Sequence, residues 1–226
     1  MLYFLDSADT AKIASALKQY PLAGVTTNPT ILARDLPAEA SLADVLFEIR
    51  RLTEGKKLFV QVTSKDADGM VRDAETIAKK LGGDLSIKVP ATKEGLEAIK
   101  KLHTLGIGTT ATAVYSTSQA MLAAAAGADF TAPYLSHLDN LSLDGPAVAG
   151  EIARQFTLHG MKTQVLAASF RTAAQIERCL ALGVSAVTVT AEMLDILAAH
   201  PGTEKELASF EANWQKRFPA GIAELL

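Results

Sequence analysis

Leu85 to Val114, LSIKVPATKEGLEAIKKLHTLGIGTTATAV, is the stretch on which the fold turns. It opens on a short apolar run, Leu85-Ser86-Ile87-Lys88-Val89-Pro90, that reads as a buried β-strand. Leu96, Ile99, Leu102 and Leu105 then recur at helical spacing, with Lys93, Glu97 and Lys101 four apart on the other face. A second strand candidate, Thr110–Val114, closes the unit. Strand, helix and strand in succession are the repeating unit of a parallel sheet.

The alternation continues in both directions. Strand candidates are Leu2–Asp6, Gly24–Thr27, Leu58–Thr63, Leu85–Pro90, Thr110–Val114, Phe130–Tyr134, Thr163–Ser169 and Ala186–Val189. Helical spacing lies between them, as in Ala8–Gln19 and Met70–Leu81. Eight such strands close a (β/α)8 barrel of the TIM type, and 226 residues suit one with short loops. A doubly wound open sheet is the rival. It would more often carry a glycine-rich phosphate fingerprint after its first strand, and Asp6-Ser7-Ala8-Asp9 has no glycine. The expected fold is α/β, one barrel domain over residues 1–226. Phe210, Trp214 and Phe218 recur every four residues and predict an additional C-terminal helix over about 203–218. Its aromatic stripe suits either the chain's own barrel or a neighbouring subunit.

Composition narrows the function. Hydrophobic residues make up 49% of the chain and charged residues 21%, enough apolar material for a sizeable core. A net charge of −3 with no basic patch argues against a nucleic-acid partner. Cys179 is the only cysteine, so no disulfide can form within the chain and a reducing cytoplasm is the expected setting. The run Met1–Asp6 lacks the features of a signal peptide, and the most apolar stretch, Met121 to Ala128, is too short to span a bilayer. No membrane partner is expected. His103, His137, His159 and His200 show no metal-ligand spacing, so no metal site is expected.

Lys88 is the anomaly within the strand that opens the decisive stretch. Moving an ammonium out of water is costly, and losing the proton lightens the cost by lowering the pKa. A neutral amine in a dry pocket is a nucleophile toward carbonyls. The competing reading is a strand-end lysine that snorkels to water or pairs with a carboxylate.

In a barrel, reactive groups come from the C-terminal strand ends. Those ends offer Asp6, Thr26-Thr27-Asn28, Gln61 and Thr63, Lys88, Thr110 and Thr112, Tyr134, and Ser169 followed by Arg171. Side chains alternate along a strand, so Ser86 and Lys88 share one face and Phe4 and Asp6 share another. Asp6 is the obvious charged neighbour of Lys88, but it could instead cap the helix beginning near Ala8. Asn28 before Pro29 is a common turn device. Ser169 and Arg171 suit a phosphate dianion, or equally a helix-start serine beside a solvated arginine. His137, three residues beyond Tyr134, is the histidine expected to face the pocket.

Together these residues resemble the transaldolase family, and most closely its short branch of fructose-6-phosphate aldolases. The resemblance rests on Leu5-Asp6-Ser7-Ala8-Asp9, Leu22-Ala23-Gly24-Val25-Thr26-Thr27-Asn28-Pro29, Ile87-Lys88-Val89-Pro90, Thr112-Ala113-Val114-Tyr115, Ala132-Pro133-Tyr134 and Ala167-Ala168-Ser169-Phe170-Arg171. It implies a barrel whose Schiff-base lysine is Lys88, with no metal and no cofactor. Transaldolases of this kind usually place a glutamate on strand three and a phenylalanine on strand six. The aldolase branch has glutamine and tyrosine there, as this chain does in Gln61 and Tyr134. One position departs from the pattern. His137 stands where members usually carry a phosphate-site arginine, and a histidine lacks the bidentate fork. Weaker phosphate affinity is expected, with Ser169 and Arg171 still present.

The resemblance therefore implies a class I aldolase. Its donor would be a hydroxyketone such as dihydroxyacetone or hydroxyacetone, and its acceptor an aldehyde such as glyceraldehyde 3-phosphate. Tyr134, Gln61 and Thr112 would move protons through a bridging water. Asp6 and Asn28, beside Thr27, would bind donor hydroxyls, and Asp6 would assist cleavage. The alternatives are a transaldolase passing the same unit between sugar phosphates, and a non-catalytic sugar-phosphate-binding barrel. The resemblance also suggests a homo-oligomer, a pentameric ring or decamer, in which the C-terminal helix reaches a neighbouring subunit.

Overall fold

A computed structural model describes residues 1–226 as two compact units, Met1–Ala191 and Glu192–Leu226. In the first, the elements run β1 (Leu2–Asp6), α1 (Thr10–Gln19), β2 (Gly24–Thr26), α2 (Pro29–Asp35), α3 (Leu42–Leu52), β3 (Lys57–Gln61), α4 (Ala67–Leu81), β4 (Leu85–Pro90) and α5 (Lys93–Thr104). They continue as β5 (Thr109–Val114), α6 (Thr117–Ala125), β6 (Phe130–Pro133), α7 (Leu135–Asn140), α8 (Gly145–Leu158), β7 (Gln164–Ala167), α9 (Ala173–Ala181) and β8 (Ala186–Val189). The eight strands pair in sequence order, all parallel, and β8 returns to β1 to close the barrel. The expected (β/α)8 architecture is the one observed.

Alternation along the strands sorts the side chains. Leu5, Val25, Leu58, Ile87 and Val89 are buried on the helix-facing side. Phe4, Phe59, Phe130, Leu166 and Ala186 form a cluster on the opposite, inward side. The Phe4 and Phe59 rings meet edge-on at 5.0 Å, and Phe59 and Phe130 at 5.5 Å, the arrangement the ring quadrupole favours. Polar residues follow on the same face: Asp6 and Gln61 lie two positions beyond Phe4 and Phe59, Lys88 pairs in register with Gln61, and Thr112 lies two positions beyond Thr110, the register partner of Lys88. An aromatic floor thus lies beneath a polar mouth.

Two glycines let the backbones come this close. A Cβ on Gly24 would stand 1.8 Å from the Lys57 carbonyl oxygen, at the β2–β3 pairing. A Cβ on Gly95 would stand 1.8 Å from the Pro90 carbonyl, where α5 folds back on β4. Neither position can hold a side chain unless the backbone moves.

Boundaries differ from the sequence reading in instructive ways. Asp9, not Asp6, caps α1, accepting from the amides of Ala11 and Lys12. The third strand stops at Gln61, and the Thr63 amide donates to the Asp73 carboxylate instead of a neighbouring strand. Ser169 lies past the end of β7 with φ +63°, in the left-handed region. α9 is capped by Thr172 in a reciprocal capping box with Gln175, so Ser169 is not a helix cap.

The second unit holds most of α10 (Ala191–Ala198), α11 (Pro201–Gln215) and α12 (Ile222–Leu225). The expected C-terminal helix exists, but it ends before Phe218. Phe218 precedes Pro219, which disfavours helical backbone at that position. The chain instead turns back, so that Trp214 Nε1 donates to the Ala220 carbonyl and the Trp214 and Phe218 rings pack at 4.5 Å. The three aromatics are therefore not a single helical stripe. No helix is long and apolar enough to cross a membrane.

Candidate active site

β1 and β4 deliver the two charges at the mouth. Lys88 is buried, 4% exposed, and its Nζ donates to the Thr27 carbonyl at 2.8 Å. Burial pushes the Lys88 amine below the ordinary lysine range, with the Asp6 carboxylate opposing. Burial pushes Asp6 above the ordinary carboxyl range, opposed by Lys88 and by the hydrogen bond from Thr26. Each partner thus leans toward its neutral form. The Thr26 hydroxyl donates to Asp6 Oδ1 at 2.7 Å and meets the Thr188 hydroxyl at 2.5 Å.

β5 and β6 deliver a hydroxyl pair. Thr112 Oγ1 and the Tyr134 phenol lie 2.7 Å apart. Burial raises the phenol's pKa, against the Thr112 bond that lowers it. The strand pairing between β5 and β6 shifts register between Ala111 and Val114, and Ala113 takes φ +55°. Such a bulge bends a strand and re-aims its side chains, and here it sits between Thr112 and Tyr115. Gln61 is half-buried and pairs in register with Lys88.

The remaining candidates separate. The Thr27 hydroxyl turns outward to donate to the Phe59 carbonyl, so Thr27 contributes its backbone oxygen and not its side chain. Asn28 Oδ1 caps α2 by accepting from the Ile31 amide. Ser169 Oγ meets Ser136 Oγ at 2.6 Å, while the Ser169 carbonyl accepts from the Ser136 amide. Exposed Arg171 donates to Asn140 Oδ1 at 2.9 Å, which directs its guanidinium toward α7. His137, exposed on α7, stacks edge-on to Tyr134 at 5.4 Å and shares a hydrogen bond between Nδ1 and the Tyr115 hydroxyl. Asp6, Lys88, Thr112 and Tyr134 thus converge inside the mouth, and Ser169, Arg171 and His137 stand on the loops after β6 and β7.

The family model described as Transaldolase/Fructose-6-phosphate aldolase matches residues 3–224. The chain belongs to the transaldolase/fructose-6-phosphate aldolase family. Among its relatives, a probable transaldolase of Thermoplasma volcanium is 36% identical over 98% of both chains. A probable transaldolase of Desulforapulum autotrophicum is 35% identical over 96% of this chain and 99% of its own. Solved structures repeat the fold at low identity. A thiamine phosphate pyrophosphorylase from Pyrococcus furiosus superposes with a TM-score of 0.57 at 16% identity, covering 84% of this chain and 85% of its own. A mandelate oxidase variant does so with 0.58 at 15%, covering 83% and 64%. These two share the barrel alone. Membership of the transaldolase/fructose-6-phosphate aldolase family makes the protein an enzyme of the aldolase or transaldolase type, acting on small sugar phosphates.

Sequence reasoning gave no role to four side chains around this family member's mouth. Thr26 stood among the strand-end hydroxyls without one, Tyr115 appeared only within a motif, and Ser136 and Thr188 were not singled out. Strand parity was the available signal for Thr26 and Thr188. Thr26 lies two residues beyond Gly24 and in register with Asp6, and Thr188 lies in register with Phe4.

Proposed function

We propose that the protein is a class I aldolase in which neutral Lys88 attacks the carbonyl carbon of a hydroxyketone. Forming the carbon–nitrogen bond and expelling the carbonyl oxygen as water gives an imine. The imine draws electrons from the adjacent carbon, which loses a proton and becomes an enamine. The enamine carbon then bonds to an acceptor aldehyde, whose oxygen takes up a proton. Water hydrolyses the product imine and frees Lys88. Tyr134, paired with Thr112, is suited to carry the protons through a water, with Gln61 beside Lys88 to hold that water. Asp6 and Asn28 are suited to hold donor hydroxyls, and Ser169, Arg171 and His137 to meet the far end of the acceptor.

The observation that carries this reading is the buried Lys88 amine, depressed in pKa and one layer above an aromatic floor. Borohydride reduction with dihydroxyacetone present tests it. The donor's carbons should appear on the Lys88 peptide, and an active enzyme with Lys88 unmodified would reject the scheme. Gln61 and Tyr134 favour release of free hydroxyketone over its transfer.

The names of the curated relatives favour a second reading, transfer of the same three-carbon unit between sugar phosphates. Comparing the rate of free dihydroxyacetone release with the rate of transfer decides between the two. Faster transfer in the wild type sinks the aldolase assignment. Assembly belongs to the same proposal. Exposed Leu207 and Phe210 on α11 are suited to a neighbouring subunit, and a monomer by light scattering would overturn that part.

A further inference from the structure

Thr188 lies outside the set of residues with assigned roles, yet its hydroxyl ends a chain that reaches Asp6. The Thr188 and Thr26 oxygens are 2.5 Å apart, and Thr26 donates to Asp6 Oδ1 at 2.7 Å. A threonine hydroxyl has one proton. Thr26 gives its proton to the carboxylate, so Thr188 must be the donor to Thr26. The chain therefore runs one way, from β8 through β2 to the carboxylate on β1. Both threonines are buried, at 3% and 0% exposure, where aligned hydroxyl dipoles are screened least and strengthen one another.

We propose that Thr188 is a positioning residue that acts through Thr26 to hold Asp6 as a carboxylate facing Lys88. The proposal rests on the aldolase reading for its functional meaning, but the hydrogen-bond chain stands independently of it. Asp6 is faced by Lys88 from β4, Arg34 and Asp35 from α2, and Tyr134 at the end of β6. Burial and Asp35 favour the neutral acid, and Tyr134 is destabilised as a phenolate by the carboxylate. Lys88, Arg34 and the threonine chain favour the anion. If Thr188 is removed, Thr26 loses the donor that polarises it, and the balance moves toward the acid.

The test is a carbon-13 titration of aspartate carboxyls in the whole protein, with the Asp6 signal assigned by its loss in Asp6→Asn. Thr188→Val keeps the volume and deletes the hydroxyl, and Thr188→Ser keeps the hydroxyl. The midpoint for Asp6 should rise by about one pH unit in Thr188→Val, the size expected for weakening one hydrogen bond to a charged group. Thr188→Ser should titrate like the wild type. Thr188→Ala gives the same reading if the valine variant does not fold. An unchanged midpoint in a folded Thr188→Val or Thr188→Ala protein overturns the proposal, even if melting temperature falls. Borohydride trapping on the wild type is run alongside. Its failure would remove the aldolase reading and leave the titration result standing.

Discussion

Lys88 Nζ donates to the backbone carbonyl of Thr27 at 2.8 Å, and Thr27 in turn anchors its hydroxyl on the Phe59 carbonyl. A neutral amine that spends one N–H on a fixed carbonyl keeps its lone pair available for a carbonyl carbon. Orientation comes from backbone, which cannot swing away. Lys88→Arg keeps a long donor side chain, but arginine stays protonated and has no nucleophilic lone pair. That variant should fold, fail to trap a ketone, and lose turnover by ~10⁴-fold or more, as for loss of a covalent nucleophile.

Asp6→Asn separates two effects of one carboxylate. The attraction that favours protonated Lys88 disappears, so the Lys88 pKa falls further and imine trapping extends to lower pH. Stability changes in the opposite sense to an ordinary acid. Because the folded pKa is raised, the folded state holds the proton longer than the unfolded chain. Below 3.8 both states are neutral and Asp6 costs nothing, and as pH climbs through the folded value the penalty for the buried charge grows. Asp6→Asn should therefore raise the melting temperature at neutral pH and leave it nearly unchanged in acid. An equal gain at every pH would contradict this.

Tyr134→Phe deletes the phenol and leaves the Thr112 hydroxyl without its partner. On the proposed mechanism, kcat should fall by ~10²–10⁴-fold, the usual contribution of a positioned proton carrier. Trapping of the donor on Lys88 should survive. Loss of trapping together with turnover would mean that Tyr134 shapes the pocket and does not carry protons.

Gly95→Ala tests the closeness of α5 to β4. The added Cβ would overlap the Pro90 carbonyl oxygen, which is backbone and cannot rotate away. Overpacking typically costs ~1–3 kcal/mol, and this site should lie at or beyond the upper end. Urea unfolding should show a lower midpoint with an unchanged slope. A wild-type midpoint would show that the helix shifts freely.

Ser169→Gly and Ser169→Ala part backbone from side chain. Both lose the Ser136 contact, but only glycine is at ease at φ +63°. The glycine variant should be more stable than the alanine variant by ~1 kcal/mol in the same unfolding measurement.

How much of this was legible in the sequence follows from how unusual each residue is in its setting. Lys88 declared itself because a charge inside Leu85–Val89 is costly to bury, Asp6 followed from strand parity, and Tyr134 from its place at the end of strand six and the motif around it. The barrel was legible because each strand and helix carries its own period. Asp6 and Asp9 could not be told apart as caps, since either lies within reach of the first turn of α1. Thr188 was invisible because threonine is at home in any strand. Its partner is 162 residues away in sequence, and only ring closure brings it near. Phe218 misled because four-residue spacing continues past the point where Pro219 ends helical geometry.

The edge-on phenylalanines Phe4, Phe59 and Phe130 stopper one end of the cylinder. A tube with a single doorway admits visitors in turn. Whatever reaches the lysine first must be fastened there before a second guest comes in behind it, and nothing can leave by the back. Queueing of this kind makes the order of arrival a property of the architecture, so on the proposed mechanism steady-state double-reciprocal plots for the two reactants should intersect, as an ordered sequence requires.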